Sequence, residues 1–263
     1  MPNHRVTWYL PSGSGQSWPY DYERGRPSWP PESIGIAGLP SSSTVLELGA
    51  GTGKLTRLLI PVFHHVIALE PQGAMLRLLS SLCPDATLVA ATGHQIPMPN
   101  AFLDAVFLAE ASWFLGNERA LEEVARVLRP GGSLLLMWNV PAAPWEPSTA
   151  TADQFLLQHL PKAEELSYDP LDLNPRRLAS TEWRQPFTRS PFEPLREARF
   201  PNPQTLDRDG LVSFLASMGW IADLADAHRL PMLSKVKSML EDAEYRRLWE
   251  THVYWTRLRP SQD

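Results

Sequence analysis

An α/β fold with a doubly wound parallel sheet is predicted by three features of residues 44–140. Short apolar runs alternate there with amphipathic segments. The runs are rich in Val, Ile, Leu and Ala with little polar alternation, as strands buried on both faces are. The segments between them are long enough for helical crossovers, which parallel neighbours require.

In chain order, Thr44–Leu48 reads as the first strand. Lys54–Phe63 follows as a helix with Leu55, Leu58, Leu59 and Val62 on one face. Val66–Leu69 is a second strand, and a helix through Met75, Leu78, Leu79 and Leu82 comes after it. Ala86–Ala91 and Asp104–Ala109 are further strands. Between Asn117 and Arg129 a helix aligns Leu121, Val124, Ala125 and Leu128, and Pro130-Gly131-Gly132 stops it. Ser133–Val140 is a fully apolar fifth strand.

The rest of the chain is organised differently. Residues 1–31 hold Trp8, Trp18, Trp29 and six prolines, an irregular N-terminal arm with at most short helices. Residues 32–140 form the core. Residues 141–204 are Pro-rich and weakly periodic, and read as a cap insertion after the fifth strand. Residues 205–263 return to the core with a helix over Leu206–Met218, a helix over about 231–249, and a strand at Thr251–Leu258.

Composition narrows the function. The chain has 263 residues, 43% hydrophobic and 20% charged, which suits a packed domain. A net charge of −5 without a basic run argues against nucleic acid, whose phosphates demand a positive footprint. One cysteine, Cys83, allows no internal disulfide. No signal-like or membrane-spanning apolar run is present, so a cytoplasmic location and no membrane partner are expected. His64 and His65 are adjacent on a strand and point to opposite faces, so no metal is expected.

The chemistry starts at Glu47-Leu48-Gly49-Ala50-Gly51-Thr52-Gly53, between the first strand and the first helix. Glycines allow a sharp turn and close approach of a ligand to backbone. In a doubly wound sheet this turn lies at the carboxyl edge, where ligands bind. Glu70 ends the second strand, where a carboxylate is placed to accept both hydroxyls of a ribose. The pair argues for a nucleoside-containing cofactor. The glycines run G-x-G-x-G, and residue 54 is Lys, so the dinucleotide pattern G-x-G-x-x-G is absent. Plainer roles stand beside these: Glu47 could anchor the turn, and Glu70 could be an exposed helix cap.

The string VLELGAGTGKLTRLL (residues 45–59) resembles the first motif of class I S-adenosylmethionine-dependent methyltransferases, particularly the ubiquinone-biosynthesis and trans-aconitate group. Leu69-Glu70-Pro71 with Met75, the stretch Gly93–Phe114, and VLRPGGSLLLMWN at 127–139 extend the likeness. The resemblance implies a mostly parallel seven-stranded sheet with an antiparallel last strand, Thr251–Leu258. It implies S-adenosylmethionine as cofactor and S-adenosylhomocysteine as product. By position, Glu47, Gly49, Ala50, Gly51 and Gly53 would line the methionine and ribose portion, and Glu70 the ribose hydroxyls. Pro71 and Gln72 would flank the adenine. Gly93 and His94 would meet the adenine edge, although relatives usually carry an acid where this chain has His94.

For the acceptor, Glu110 after the fourth strand is the candidate substrate contact and a further cofactor neighbour, followed by Ser112 and Trp113. Trp138 and Asn139, ending the fifth strand, are the other catalytic candidates. Trp18, Tyr20, Tyr22 and Trp29 suggest a lid over an apolar or partly aromatic small molecule. Arg26, Arg176, Arg177 and Arg184 are the candidate anion contacts. Two rival readings are a methyltransferase fold repurposed for cyclisation or pericyclic rearrangement, and a non-enzymatic cofactor-binding module.

Overall fold

The computed structural model describes residues 18–110, 117–159 and 182–260. Seven strands form one sheet in the order β3-β2-β1-β4-β5-β7-β6. They are β1 Thr44–Leu48, β2 His65–Leu69, β3 Thr87–Val89, β4 Leu103–Ala109, β5 Leu128–Pro141, β6 Arg196–Leu206 and β7 Tyr245–Arg257. β1 to β5 pair in parallel. β7 runs antiparallel to both β5 and β6.

The helices are α1 Trp18–Gly25, α2 Thr56–Leu59, α3 Gly73–Leu82, α4 Glu118–Val127, α5 Ala150–His159, α6 Gln185–Thr188, α7 Arg208–Ala216, α8 Gly219–Ala222 and α9 Asp226–Met239. Two of them are capped by side chains that accept a free N–H of the first turn. Asn117 accepts from Ala120, and Asp207 from Gly210. None of the helices among the described residues is long and apolar enough to cross a membrane.

Strand periodicity divides the core between the two sheet faces. Leu46, Leu48, Ile67, Leu69, Val106 and Leu136 pack on one side with α4 residues Leu121 and Val124. Val45, Val66, Ala105, Phe107, Leu135 and Met137 pack on the other with Leu55, Leu59 and Trp29. Both faces are covered, as the apolar runs required.

The second half departs from expectation in two places. Residues 196–204, assigned to a cap, belong instead to β6, the edge strand of the sheet. Pro201 and Pro203 hid this strand, yet proline is tolerated where one side of a strand lacks a neighbour. The helix expected to reach 249 ends at Met239, and β7 begins at Tyr245, six residues before the expected strand start. Nor is the first part of the cap separate from the core. Trp145, Ala152 and Leu156 pack with Phe214, Val236 and Trp249 in one buried cluster. Pro141 pairs with Trp249, so this cluster adjoins the carboxyl end of β5.

Within the N-terminal arm, α1 lies against α7 at backbone contact distance. A Cβ on Gly25 would stand 2.1 Å from the Phe214 nitrogen and 2.3 Å from its Cα. Buried Arg229 reinforces this side: it pairs with Asp226 at 2.9 Å and lies 4.0 Å from Asp21 of α1. Gly25→Ala is therefore expected to push α1 off α7 and to destabilise the fold by about 1–3 kcal/mol. Denaturant unfolding measures that loss, and an unchanged midpoint would show that α1 shifts without cost.

Candidate functional site

The glycine turn is bound to the end of β2. The N–H groups of Gly49 and Ala50 both donate to the Leu69 carbonyl, at 2.8 and 3.0 Å. Gly49, Gly51 and Gly53 have φ of 81°, 58° and 88°, the left-handed region that side-chain-bearing residues rarely adopt. Two of these glycines do different work. At Gly53 a Cβ would meet Cys83 Sγ at 2.5 Å and Leu79 Cδ1 at 2.6 Å, so the turn sits directly on α3. At Gly51 the nearest atom to such a Cβ is a Tyr22 ring carbon at 4.0 Å, so its backbone faces open space.

Two buried carboxylates flank this turn. Glu70 is 5% exposed and bridges it, accepting the N–H of Gly51 and of Gln72, each at 2.8 Å. It is not an exposed helix cap. Burial raises its carboxyl above the usual range, against the pull of those two N–H groups. Glu47 is 2% exposed and accepts the Thr56 hydroxyl from the first turn of α2. Burial pushes its carboxyl up to about 8; the charge of Glu70 adds to this, while Thr56 and Arg57 oppose it.

α1 closes the site from above. Glu23 accepts from the Thr52 hydroxyl at 2.5 Å and from Arg57 at 2.6 Å, and its backbone carbonyl accepts from Lys54 Nζ at 2.6 Å. Tyr22 faces the carboxylates. Burial pushes its phenol up to about 12; Arg26 opposes this, and Glu110, Glu70 and Glu47 add to it. It is a neutral O–H at physiological pH. Beneath lies a cavity of about 30 Å³ whose lining includes Tyr22, Arg26, Trp29, Glu47, Glu110 and Asn139. Small-molecule pockets commonly reach several hundred Å³.

Of the residues read from sequence, Glu47, Gly49, Ala50, Glu110 and Asn139 come together on this cavity. Glu110 has φ 53°, uncommon for a residue with a side chain. Its carboxylate accepts the Asn139 N–H at 2.8 Å, joining the ends of β4 and β5. Pro71 is exposed, and half-buried Gln72 contributes its N–H to Glu70. Gly93 is buried and His94 exposed, the latter 3.3 Å from Asn117 Nδ2; neither lines the cavity. Trp138 is displaced from the site by one residue of strand alternation. It points to the α4 side and is fully buried against Trp183 and Tyr254, so it is a core residue.

Arg26 donates to the Ser217 hydroxyl and carbonyl and lies over the Tyr22 and Phe214 rings. Arg184 lies over Trp183 and Tyr254, away from the cavity. Ser112, Trp113, Arg176, Arg177 and the first 17 residues lie outside the described residues. Among the described residues no group of three or more His, Cys, Asp or Glu is placed to hold a metal.

Residues 46–136 match a family model described as a methyltransferase domain. An uncharacterized methyltransferase of Mycobacterium tuberculosis is 46% identical over 118 residues, covering 45% of this chain and 49% of that one. The chain thus spans about half the length of that relative. A ubiquinone/menaquinone biosynthesis C-methyltransferase of Vibrio vulnificus is 28% identical over 158 residues, 55% of this chain and 59% of that one. A solved structure of a putative type II methyltransferase from Anaeromyxobacter dehalogenans has the same fold, at a TM-score of 0.61 and 22% identity, covering 90% of this chain and 99% of the other. The matched segment, residues 46–136, holds the glycine turn, Glu47 and Glu70.

Two side chains at this cavity that sequence reasoning missed come from outside the matched segment. Trp249 of β7 lines the cavity, and Glu23 of α1 accepts from Thr52, which lines it. Trp249 escaped because its segment was read as the end of a helix. Glu23 gave no signal, since a single acid in an irregular arm has no periodic context.

Glu47 makes stability depend on pH. Its folded value near 8 exceeds its ordinary 4.5, so the folded state holds the proton more tightly. The stabilising proton is fully present below pH 4.5, and its contribution is lost as pH rises towards 8. Glu47→Gln should flatten the fall in unfolding free energy between pH 5 and pH 8, measured in denaturant. An equally steep fall in the variant would locate the effect elsewhere.

Proposed function

We propose that the chain transfers a methyl group from S-adenosylmethionine to a small, partly apolar or aromatic organic acceptor. The observation that carries this reading is Glu70. It is a buried carboxylate at the end of β2, held against the left-handed Gly51 by two backbone N–H groups. Beyond tying the turn to the strand end, its oxygens keep further acceptor capacity, and a ribose offers the paired hydroxyl donors that they would accept.

The residues suit such a group. Gly51 leaves room for close approach. Glu47 and Glu70 place two carboxyl groups around the turn, which can accept hydrogen bonds from the hydroxyl and ammonium groups of such a donor. Gly93 and His94 lie next to the end of the β3 segment, where the adenine edge would come. The cofactor, when bound, supplies an activated methyl group for in-line displacement. The protein's part is alignment and exclusion of water. Glu110 and Asn139, bonded to each other at the ends of β4 and β5, would face the acceptor. Trp29, Pro27, Leu55 and Trp249 supply an apolar wall. The acidic surroundings favour an acceptor without several negative charges.

Calorimetric titration with S-adenosylmethionine and S-adenosylhomocysteine tests this reading. Both should bind, and Glu70→Ala should weaken each at least tenfold while the protein stays folded. Methyl-labelled donor should then label small acceptors. Lack of binding by folded wild-type protein would overturn the proposal. Binding with turnover of a substrate but no transfer of label would favour the repurposed-fold reading.

A further inference from the structure

The inward face of β6 changes character part-way along. Ala198, Phe200, Asn202, Gln204 and Leu206 are its half-buried positions, alternating with exposed ones. Two carboxamides thus interrupt an otherwise apolar face at i and i+2, the spacing that puts side chains on the same side of a strand. Such a substitution weakens a core unless the amides are fully bonded.

Their partners lie in one short segment. Residues 25–31, Gly-Arg-Pro-Ser-Trp-Pro-Pro, connect α1 to the rest of the chain. Three of the seven are prolines, which have no N–H and build no regular ladder. Carbonyls of this strap therefore look outward for donors. Gln204 Nε2 donates to the Gly25 carbonyl at 2.8 Å. Asn202 Nδ2 donates to the Ser28 carbonyl at 2.7 Å.

The same two amides also grip the wall of the cavity. Gln204 Oε1 accepts from Trp249 Nε1 at 2.9 Å. Asn202 Nδ2 lies 2.9 Å from Asn139 Oδ1, which also accepts from the Thr251 hydroxyl. Asn139 Nδ2 donates in turn to the Ser28 carbonyl at 3.1 Å, and the Asn139 N–H donates to Glu110. A continuous path of hydrogen bonds therefore runs from the end of β4 through β5 to β6 and the strap. Pro27 and Trp29, carried by that strap, line the cavity together with Asn139 and Trp249.

We infer that Asn202 and Gln204 are positioning residues for the acceptor side of the site, clamping the Pro27–Trp29 wall against Asn139 and Trp249 and so setting the size of acceptor admitted. The inference rests on the methyltransferase reading for the word acceptor, but the clamp itself does not. The cofactor side is held separately, by Glu47, Glu70 and the glycine turn. Asn139 then acts through its amide as the centre of this clamp, its oxygen and nitrogen both committed.

The test uses the full chain. Asn202→Asp and Gln204→Glu keep size and an acceptor oxygen but remove the N–H donors to the strap; Asn202→Leu and Gln204→Leu serve if the added charge unfolds the protein. The first readout is hydrogen exchange at the Arg26, Ser28 and Trp29 amides, expected at least tenfold faster in each variant. The second is calorimetric affinity for S-adenosylhomocysteine, expected within threefold of wild type. The third is methyl transfer from labelled S-adenosylmethionine to a pool of small phenols and aromatic carboxylic acids. For the best wild-type acceptor KM should rise at least tenfold with kcat within threefold, and bulkier pool members should become substrates.

Unchanged exchange at the strap would overturn the clamp whatever the kinetics. Faster exchange with an unchanged KM and acceptor range would overturn its role in selecting the acceptor, as would a fall in S-adenosylhomocysteine affinity equal to the rise in KM. Wild-type protein that binds no S-adenosylhomocysteine would instead remove the methyltransferase reading, and the exchange result would still decide the clamp.

Discussion

The Leu69 carbonyl receives two backbone N–H groups at once, from Gly49 and Ala50, and the rest of the site is arranged around that junction. It fixes the end of β1 to the end of β2 and forces the chain through three left-handed glycines. The turn that results cannot spread, because Gly53 is already against Cys83 and Leu79 of α3. What remains free is its upper surface at Gly51. Glu70 is drawn over the same turn by the Gly51 N–H, so the strand end, the turn and the carboxylate behave as one rigid unit.

A rigid unit of this kind holds acids where water has been removed. Glu47 and Glu70 are both raised by burial, and Tyr22 is held neutral beside them. Such acids are costly to the fold on their own and gain when a cation or a set of hydroxyl donors replaces the lost water. Trp29 and Trp249, which also line the cavity, are instead held by the strap and the amides of β6. The two parts of the site thus rest on different physics: desolvated acids in one, saturated amide hydrogen bonds in the other.

Much of this was legible in the residues, and unevenly so. β1 matches its sequence reading residue for residue, because a buried parallel strand is a mostly apolar run and here leads straight into the glycine turn. α4 was equally plain, with its stripe of Leu121 and Val124 and its cap at Asn117. Glu47, Gly49 and Glu110 line one cavity because strand ends and the glycine turn place them there. β6 was invisible: its prolines read as loop, and only the absence of a neighbour on one side lets them lie in a strand. Trp138 was misplaced by one position, since period-two alternation decides its face and a motif alone does not. Glu23 acts through hydrogen bonds to residues 52–57, and the amides at 202 and 204 through bonds to residues 25–28 far away in chain, which no local pattern encodes.

The prolines of β6 have a bearing on association as well. A strand with a free side normally offers a row of donors and acceptors on which another chain can pair. Here β6 ends the sheet among the described residues, and positions 201 and 203 have no N–H to offer. Lengthening the sheet by a strand from a second molecule would leave carbonyls of the incoming chain unbonded at two points. The same residues that disguised the strand in the sequence thereby guard the molecule against edge-to-edge aggregation.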